Sequence, residues 1–130
     1  MSRKIMIIED EPDIREYLVA VLEDNGYHPI GLSEADSAAD AARRLAPDLI
    51  LIDIMMPVRS GISIYLELRL APDLARIPIA LMSGIEGGSD LLAEGLRHRA
   101  GRETVAPPDG FIEKPIRRDA LLALVRELFV

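Results

Sequence analysis

Hydrophobic and polar residues follow one another along the chain in short blocks that predict five β-strands and five α-helices. Nearly continuous aliphatic runs indicate strands that are buried on both faces, as in parallel sheets covered by helices. Because strands and helices alternate, we expect an α/β fold built from β-α-β units. The predicted strands are Lys4 to Ile8, His28 to Leu32, Leu49 to Ile52, Ile77 to Met82 and Phe111 to Glu113.

Apolar residues spaced three and four apart predict the helices between these strands. The first helix should end at Asn25-Gly26, and Ser33 with Asp36 three residues later resembles a capping box for the second. The other helical segments are Ala38 to Leu45, Ile62 to Leu70, Asp90 to Arg99 and a last helix with its apolar face from Leu121 to Leu128. No internal repeat or interdomain linker interrupts this pattern, so we expect residues 1–130 to form one domain.

Three of the predicted strands end in charged residues. Asp53 follows the run Leu49 to Ile52, Glu9-Asp10 follows the first strand, and Lys114 follows the fifth. In open parallel sheets, ligands bind outside the carboxyl ends of the strands. We therefore expect these acids and Lys114 to converge on one site.

Composition and charge exclude several kinds of protein. The chain has no cysteine, which excludes disulfides and thiolate metal sites. Its net charge of -7 would repel a nucleic-acid backbone, so we expect no direct nucleic-acid partner. The apolar runs are shorter than a membrane span and the N-terminus lacks a signal-peptide core, which favours a cytoplasmic protein without membrane contact.

A set of short motifs at the predicted strand ends resembles the receiver domains of two-component response regulators. The resemblance covers essentially the whole chain and depends on the joint order of several elements. It implies a doubly wound, flavodoxin-like parallel sheet of strand order 2-1-3-4-5, surrounded by five helices. The motifs are Glu9-Asp10, Asp53 with Pro57 four residues later, Gly61, Ser83-Gly84 and Lys114-Pro115.

The chemistry of these residues can also be argued without the family. Carboxylates held close together repel one another, and burial makes their full ionisation costlier unless a cation neutralises them. Mg²⁺ is a hard cation that takes oxygen ligands and suits such a cluster. Asp53 could then act as a nucleophile toward phosphorus and form an aspartyl phosphate. Phosphoryl transfer needs mainly positioning and charge neutralisation, which Mg²⁺ and the Lys114 ammonium would supply.

The resemblance implies specific roles for the residues that match the motifs. Asp10 and Asp53 would bind Mg²⁺ directly, Glu9 would act directly or through water, and the backbone carbonyl of Met55 would complete the protein ligands. Ser83 would donate its hydroxyl to a phosphoryl oxygen. Movement of Ser83 would let Phe111, the aromatic residue of the fifth strand, turn inward as a switch. A phenyl ring has no hydroxyl to satisfy, so we expect this switch to favour the inward state.

The resemblance also implies the partners of the chain. A histidine kinase or a histidine phosphotransfer protein would donate the phosphoryl group from a phosphohistidine to Asp53. The signal would pass to a downstream protein through the face made by the fourth predicted helix, the fifth strand and the last helix, and the same face could form a homodimer. We expect a regulatory phosphoacceptor rather than an enzyme, one that catalyses only its own phosphorylation and dephosphorylation. The chain ends directly after the last helix, so we expect no output domain in it.

Two features depart from the family pattern or modify its chemistry. Thirty residues separate Ser83 from Lys114, more than is usual for such domains, and the excess falls in the segment Gly101 to Gly110. Met55 and Ile85, two residues beyond Asp53 and Ser83, would flank the path of an attacking water molecule. Both are apolar and cannot orient water, so we expect slow self-dephosphorylation.

Alternative interpretations remain open at this point. Taken singly, Asp53 could be a loop or cap residue, Ser83 a turn residue, Lys114 a surface lysine and Phe111 a core residue. The whole chain could be a receiver-like interaction module that works without phosphorylation. It could also be a metal-dependent phosphatase, although Met55 stands where such an enzyme would want its second acid.

Overall fold

The fold is known from a computed structural model that describes residues 2–33, 37–56, 60–84 and 105–129. Five parallel strands form one sheet of order β2-β1-β3-β4-β5, which confirms the predicted α/β topology. The elements within these residues are, in chain order, β1 (Lys4–Ile8), α1 (Pro12–Asp24), β2 (His28–Leu32), α2 (Ala38–Leu45), β3 (Leu49–Asp53), α3 (Gly61–Leu70), β4 (Ile79–Ser83), β5 (Gly110–Glu113) and α4 (Arg118–Leu128).

The strand register brings the carboxyl ends of the central strands to the same level. Ile8 of β1 lies beside Ile52 of β3, so the residues that follow these two positions are neighbours at the sheet edge. Strand β3 continues alongside β4, and Ser83 of β4 lies beside Glu113 of β5. The order of the strands reverses at β1, which lies between β2 and β3. A crevice at such a reversal is where open parallel sheets bind ligands.

Aliphatic side chains fill the space between the sheet and the helices. Alternate residues of β1, β3 and β4 point to opposite faces, and all three strands are buried on both. Complete burial of one leucine or isoleucine side chain contributes about 1.5–3 kcal/mol. One face packs on α2 and α3, and the other packs on α1 and α4.

The structure corrects two local predictions. Ser33 does not cap the second helix, because α2 begins at Ala38 and Ser37 occupies its N-cap without a side-chain hydrogen bond. Strand β4 begins at Ile79 rather than Ile77. The Ile77 amide donates to the Leu74 carbonyl at 3.1 Å and its carbonyl accepts from Arg69 at 2.7 Å, so its backbone groups are used outside the sheet.

Four of the five predicted helices fall within the described residues. The predicted helix from Asp90 to Arg99 lies outside them, as do Ile85 and the first four residues of the segment Gly101 to Gly110. None of the helices in the described ranges is long and apolar enough to cross a membrane.

Candidate functional site

An acidic cluster lies at the carboxyl edge of the sheet, where β1 and β3 end. Glu9 and Asp10 follow β1, and Asp53 is the last residue of β3. One carboxylate oxygen from each of the three lies within 4.8 Å of the others. Glu9 and Asp53 are buried, whereas Asp10 is partly exposed. The arrangement offers a converging set of oxygen atoms, two of them shielded from water.

Lys114 brings its ammonium group between two of these carboxylates. Its Nζ lies 3.0 Å from Glu9 Oε2 and 3.2 Å from Asp53 Oδ2. The Lys114 side chain is only 17% exposed. Its backbone amide donates to the Ser83 carbonyl at 2.7 Å, which ties the residue after β5 to the end of β4. Residues far apart in the chain thus form one charged site.

The electrostatics of the site favour a bound cation. Burial raises the pKa of Glu9 to about 7; the Lys114 hydrogen bond opposes this shift, and the charge of Asp53 adds to it. Burial alone would lower the pKa of Lys114, but its hydrogen bond to Glu9 and the charge of Asp53 outweigh that effect and raise it. With all groups ionised, the three clustered carboxylates outnumber the one ammonium that pairs with two of them, so negative charge is in excess. A hard divalent cation with oxygen ligands fits this donor set.

Backbone groups after β3 hold the Asp53 carboxylate in place. Its Oδ1 accepts a hydrogen bond from the Met55 amide at 3.0 Å, while its Oδ2 faces Lys114. Gly61, the first residue of α3, donates its amide to the Ile54 carbonyl at 3.3 Å. A Cβ on Gly61 would lie 2.2 Å from the Asp53 carbonyl oxygen. Only glycine lets the start of α3 approach the end of β3 so closely.

The remaining predicted site residues lie at the carboxyl ends of the strands, except Phe111, which lies within β5. Ser83 is buried at the end of β4, and Gly84 beside it leaves a Cβ position 3.8 Å from the Lys114 Cβ. Met55 lies at the rim of the site and is 57% exposed. Phe111 is partly buried, lies beside Leu81 in the sheet and packs on the cluster that faces α2 and α3.

Sequence reasoning missed Arg15, whose guanidinium donates to the Glu9 carbonyl at 2.9 Å. Nothing in the sequence distinguishes it from an ordinary helix residue. It also missed a polar network at the other end of the strands, where β4 and β5 begin. There Arg69 contacts Asp109, the Tyr65 hydroxyl and the carbonyl of Ile77, and Tyr65 donates to the Ala106 carbonyl. This network anchors the described end of the segment Gly101 to Gly110.

Comparison with known protein sequences agrees with this arrangement. The family model described as "Response regulator receiver domain" matches residues 5–126. The phosphate regulon transcriptional regulatory protein PhoB of Escherichia coli is 35% identical over 126 residues, covering 97% of this chain and 51% of PhoB. The DNA-binding response regulator MtrA of Mycolicibacterium smegmatis is 29% identical, covering 97% and 50% respectively. The chain therefore spans about half the length of these curated relatives.

Solved structures resemble the whole fold. The signal receiver domain of a histidine kinase from Syntrophus aciditrophicus is 30% identical, with a TM-score of 0.80 over 98% of this chain and 89% of that one. The chemotaxis protein CheY4 of Vibrio cholerae, at 19% identity, shares the fold with a TM-score of 0.81 over 98% and 99%. The family match spans nearly the whole chain and includes the acidic cluster and Lys114. The chain belongs to the response regulator receiver domain family and is a receiver domain of two-component signalling.

Proposed function

We propose that this receiver domain is switched by phosphorylation of Asp53. The observation that carries the proposal is the position of the Asp53 carboxylate: it is buried, oriented by the Met55 amide at 3.0 Å and placed 3.2 Å from the Lys114 ammonium. In the proposed reaction an Asp53 oxygen attacks phosphorus and forms a new P–O bond. The bond between phosphorus and the histidine nitrogen of the donor breaks, and its electron pair returns to the imidazole. The product is an aspartyl phosphate.

Each neighbouring residue has a role in this proposal. Asp10, Asp53, Glu9 and the Met55 carbonyl would hold Mg²⁺, which neutralises charge on the phosphoryl oxygens when bound. The Lys114 ammonium would turn from the two carboxylates toward the added phosphoryl charge. Ser83 would donate its hydroxyl to a phosphoryl oxygen. The proposed metal ligands lie at the ends of β1 and β3, and Ser83 and Lys114 lie at the ends of β4 and β5, the next two strands of the sheet.

Phosphorylation would act on the sheet through charge. An aspartyl phosphate adds negative charge near Ser83, the last residue of β4, and near Lys114, which follows β5. Phe111 lies on β5, partly buried against the core, and is the proposed aromatic switch. The output face would include β5 and α4, and its partner would be a downstream protein or a second copy of the chain. Met55, exposed and apolar beside Asp53, supports slow self-dephosphorylation.

The proposed partners follow from this chemistry. A histidine kinase or a histidine phosphotransfer protein would supply the phosphoryl group in the cytoplasm. MtrA is a DNA-binding response regulator, but this chain matches only 50% of its length. We assign no direct nucleic-acid contact to the receiver domain, since its net charge of -7 opposes one. Its catalysis would be limited to its own phosphorylation and dephosphorylation.

The test is the intact mass of the purified chain after incubation with phosphoramidate, with and without Mg²⁺. We expect one phosphoryl adduct that needs Mg²⁺ and is lost in Asp53→Asn. Asp48→Asn is the matched control, because Asp48 precedes the opposite end of β3 and accepts the Lys4 amide at 2.8 Å, which an asparagine oxygen can also do. An adduct that persists in Asp53→Asn would overturn the assignment. No adduct at all would favour an interaction module that works without phosphorylation.

A further inference from the structure

Arg15 contacts the loop that carries two of the three clustered carboxylates. It lies in α1, and its own amide donates to the Glu11 carbonyl at 3.0 Å in the ordinary helical pattern. Its guanidinium turns back along the helix and donates to the Glu9 carbonyl at 2.9 Å. Arg15 forms no ion pair with any carboxylate of the described residues. Its contact is therefore with the backbone of the loop.

Glu9 is held at every polar group. Its amide donates to the Leu32 carbonyl at 3.1 Å, and its carbonyl accepts from Arg15. Its Oε1 accepts the Glu11 amide at 3.3 Å, and its Oε2 accepts from Lys114 at 3.0 Å. Of these four contacts, the one from Arg15 holds the peptide unit that joins Glu9 to Asp10. That peptide unit lies in the backbone between the two residues, so its orientation affects how the loop presents both carboxylates.

Gly31 in β2 makes room for the Arg15 side chain. A Cβ on Gly31 would lie 2.9 Å from Arg15 Cγ and 3.0 Å from Arg15 Cδ, closer than ordinary van der Waals contact. The next nearest atom would be Val19 Cγ2 at 3.5 Å, which is an ordinary distance. Gly31 does not have a positive φ, so its conformation is open to alanine. The missing side chain at this position serves the passage of Arg15 rather than a turn.

We propose that Arg15 is a positioning residue that orients the Glu9–Asp10 peptide for metal binding, and that Gly31 admits its side chain. The inference rests on the proposed function, because it concerns the same metal site. Loss of a hydrogen bond that orients metal ligands typically weakens affinity about 10–100-fold. We expect Arg15→Met to raise the dissociation constant for Mg²⁺ by about 10-fold. Arg15→Lys keeps a charged donor and should recover part of this loss.

Calorimetric titration of the purified chain with Mg²⁺ tests the proposal, with Arg126→Met as the control. Arg126 is exposed on α4, so its change should leave Mg²⁺ affinity unaltered. Gly31→Ala provides a second variant in which Arg15 remains. It should weaken Mg²⁺ binding while its urea unfolding midpoint stays close to that of the wild type, since the stiffer unfolded chain offsets the displacement of the Arg15 side chain. That separation of affinity from stability would not arise from a purely structural role.

Two further measurements test whether Arg15→Met acts through the loop that carries Glu9 and Asp10. In the metal-free protein, hydrogen exchange of the Glu11 amide should quicken about 10-fold in Arg15→Met, because the loop that presents Glu9 Oε1 loosens. Phosphoramidate labelling of Arg15→Met should be slow at low Mg²⁺ and return to the wild-type rate when Mg²⁺ is saturating.

The outcomes separate this inference from the proposed function. Equal Mg²⁺ affinity in wild type, Arg15→Met and Gly31→Ala would overturn the role of Arg15 while leaving phosphorylation of Asp53 intact. A labelling defect that saturating Mg²⁺ does not repair would also overturn it. A wild-type protein that neither binds Mg²⁺ nor forms the adduct would overturn both.

Discussion

Replacement of Gly61 by alanine should damage the site more than any other single methyl group added near it. The alanine Cβ would lie 2.2 Å from the Asp53 carbonyl oxygen, 2.5 Å from Ile54 Cα and 2.8 Å from the Asp53 carbonyl carbon. Ordinary contacts of this kind begin at 3.4 Å. All three neighbours are backbone atoms, so no side-chain rotation can relieve the overlap. The end of β3 and the start of α3 must separate by about 1 Å.

The cost of this movement can be estimated from related cases. Overpacking a close contact typically costs about 1–3 kcal/mol, so we expect Gly61→Ala to lower the free energy of unfolding by about 2–3 kcal/mol. The atoms that move belong to the phosphoacceptor itself, and a misplacement of about 1 Å can slow a reaction about 100-fold. We expect phosphoramidate labelling at saturating Mg²⁺ to slow by about 10–100-fold.

Urea unfolding and the rate of adduct formation measure these two effects, and Gly84→Ala is the matched control. Its Cβ would meet only the Lys114 Cβ, at an ordinary 3.8 Å. We expect it to change stability by less than about 0.5 kcal/mol. If Gly61→Ala were as stable as the wild type and labelled at the same rate, the close approach of α3 to Asp53 would not constrain the site.

Two further predictions concern the charged groups at opposite edges of the sheet. The pKa of Glu9 is raised from an ordinary 4.5 to about 7, so the metal-free protein should lose stability, on the order of 2 kcal/mol, as pH rises from below 4.5 through 7. Urea unfolding in EDTA at pH 4.5 and pH 8 measures this loss; Glu9→Gln should reduce it, Mg²⁺ should oppose it, and an equal loss in Glu9→Gln would refute its origin. Arg69→Met should cost about 2–4 kcal/mol, because the Arg69 side chain is only 7% exposed and its removal leaves the carbonyls of Ala75 and Ile77 without their donor. Arg43→Met, which removes solvent-exposed ion pairs to Asp40 and Asp73, should cost much less stability than Arg69→Met, and similar losses in the two variants would contradict this account.

The sequence by itself determined the elements and the edge at which the site lies. Buried parallel strands leave continuous aliphatic runs, and the bounds of β1, β2 and α2 agree with those predicted from that pattern. The polar residues that end the runs mark the carboxyl edge, because all strands point the same way. Where the local signal was ambiguous, as at Ser33 and Ile77, the prediction was wrong. The Ile77 backbone forms hydrogen bonds with Leu74 and Arg69 instead of with a neighbouring strand.

Only the tertiary structure decided which atoms meet at that edge. The hydrogen bond from Lys114 to Glu9 joins residues that are 105 positions apart in the sequence. The close approach of Gly61 to Asp53 depends on how α3 packs on β3. The contact from Arg15 to the Glu9 carbonyl needs the empty space at Gly31 on another strand. Periodicity is a local property, which the sequence records directly. Distances between side chains depend on the packing of elements brought together by the whole chain, which no local pattern records.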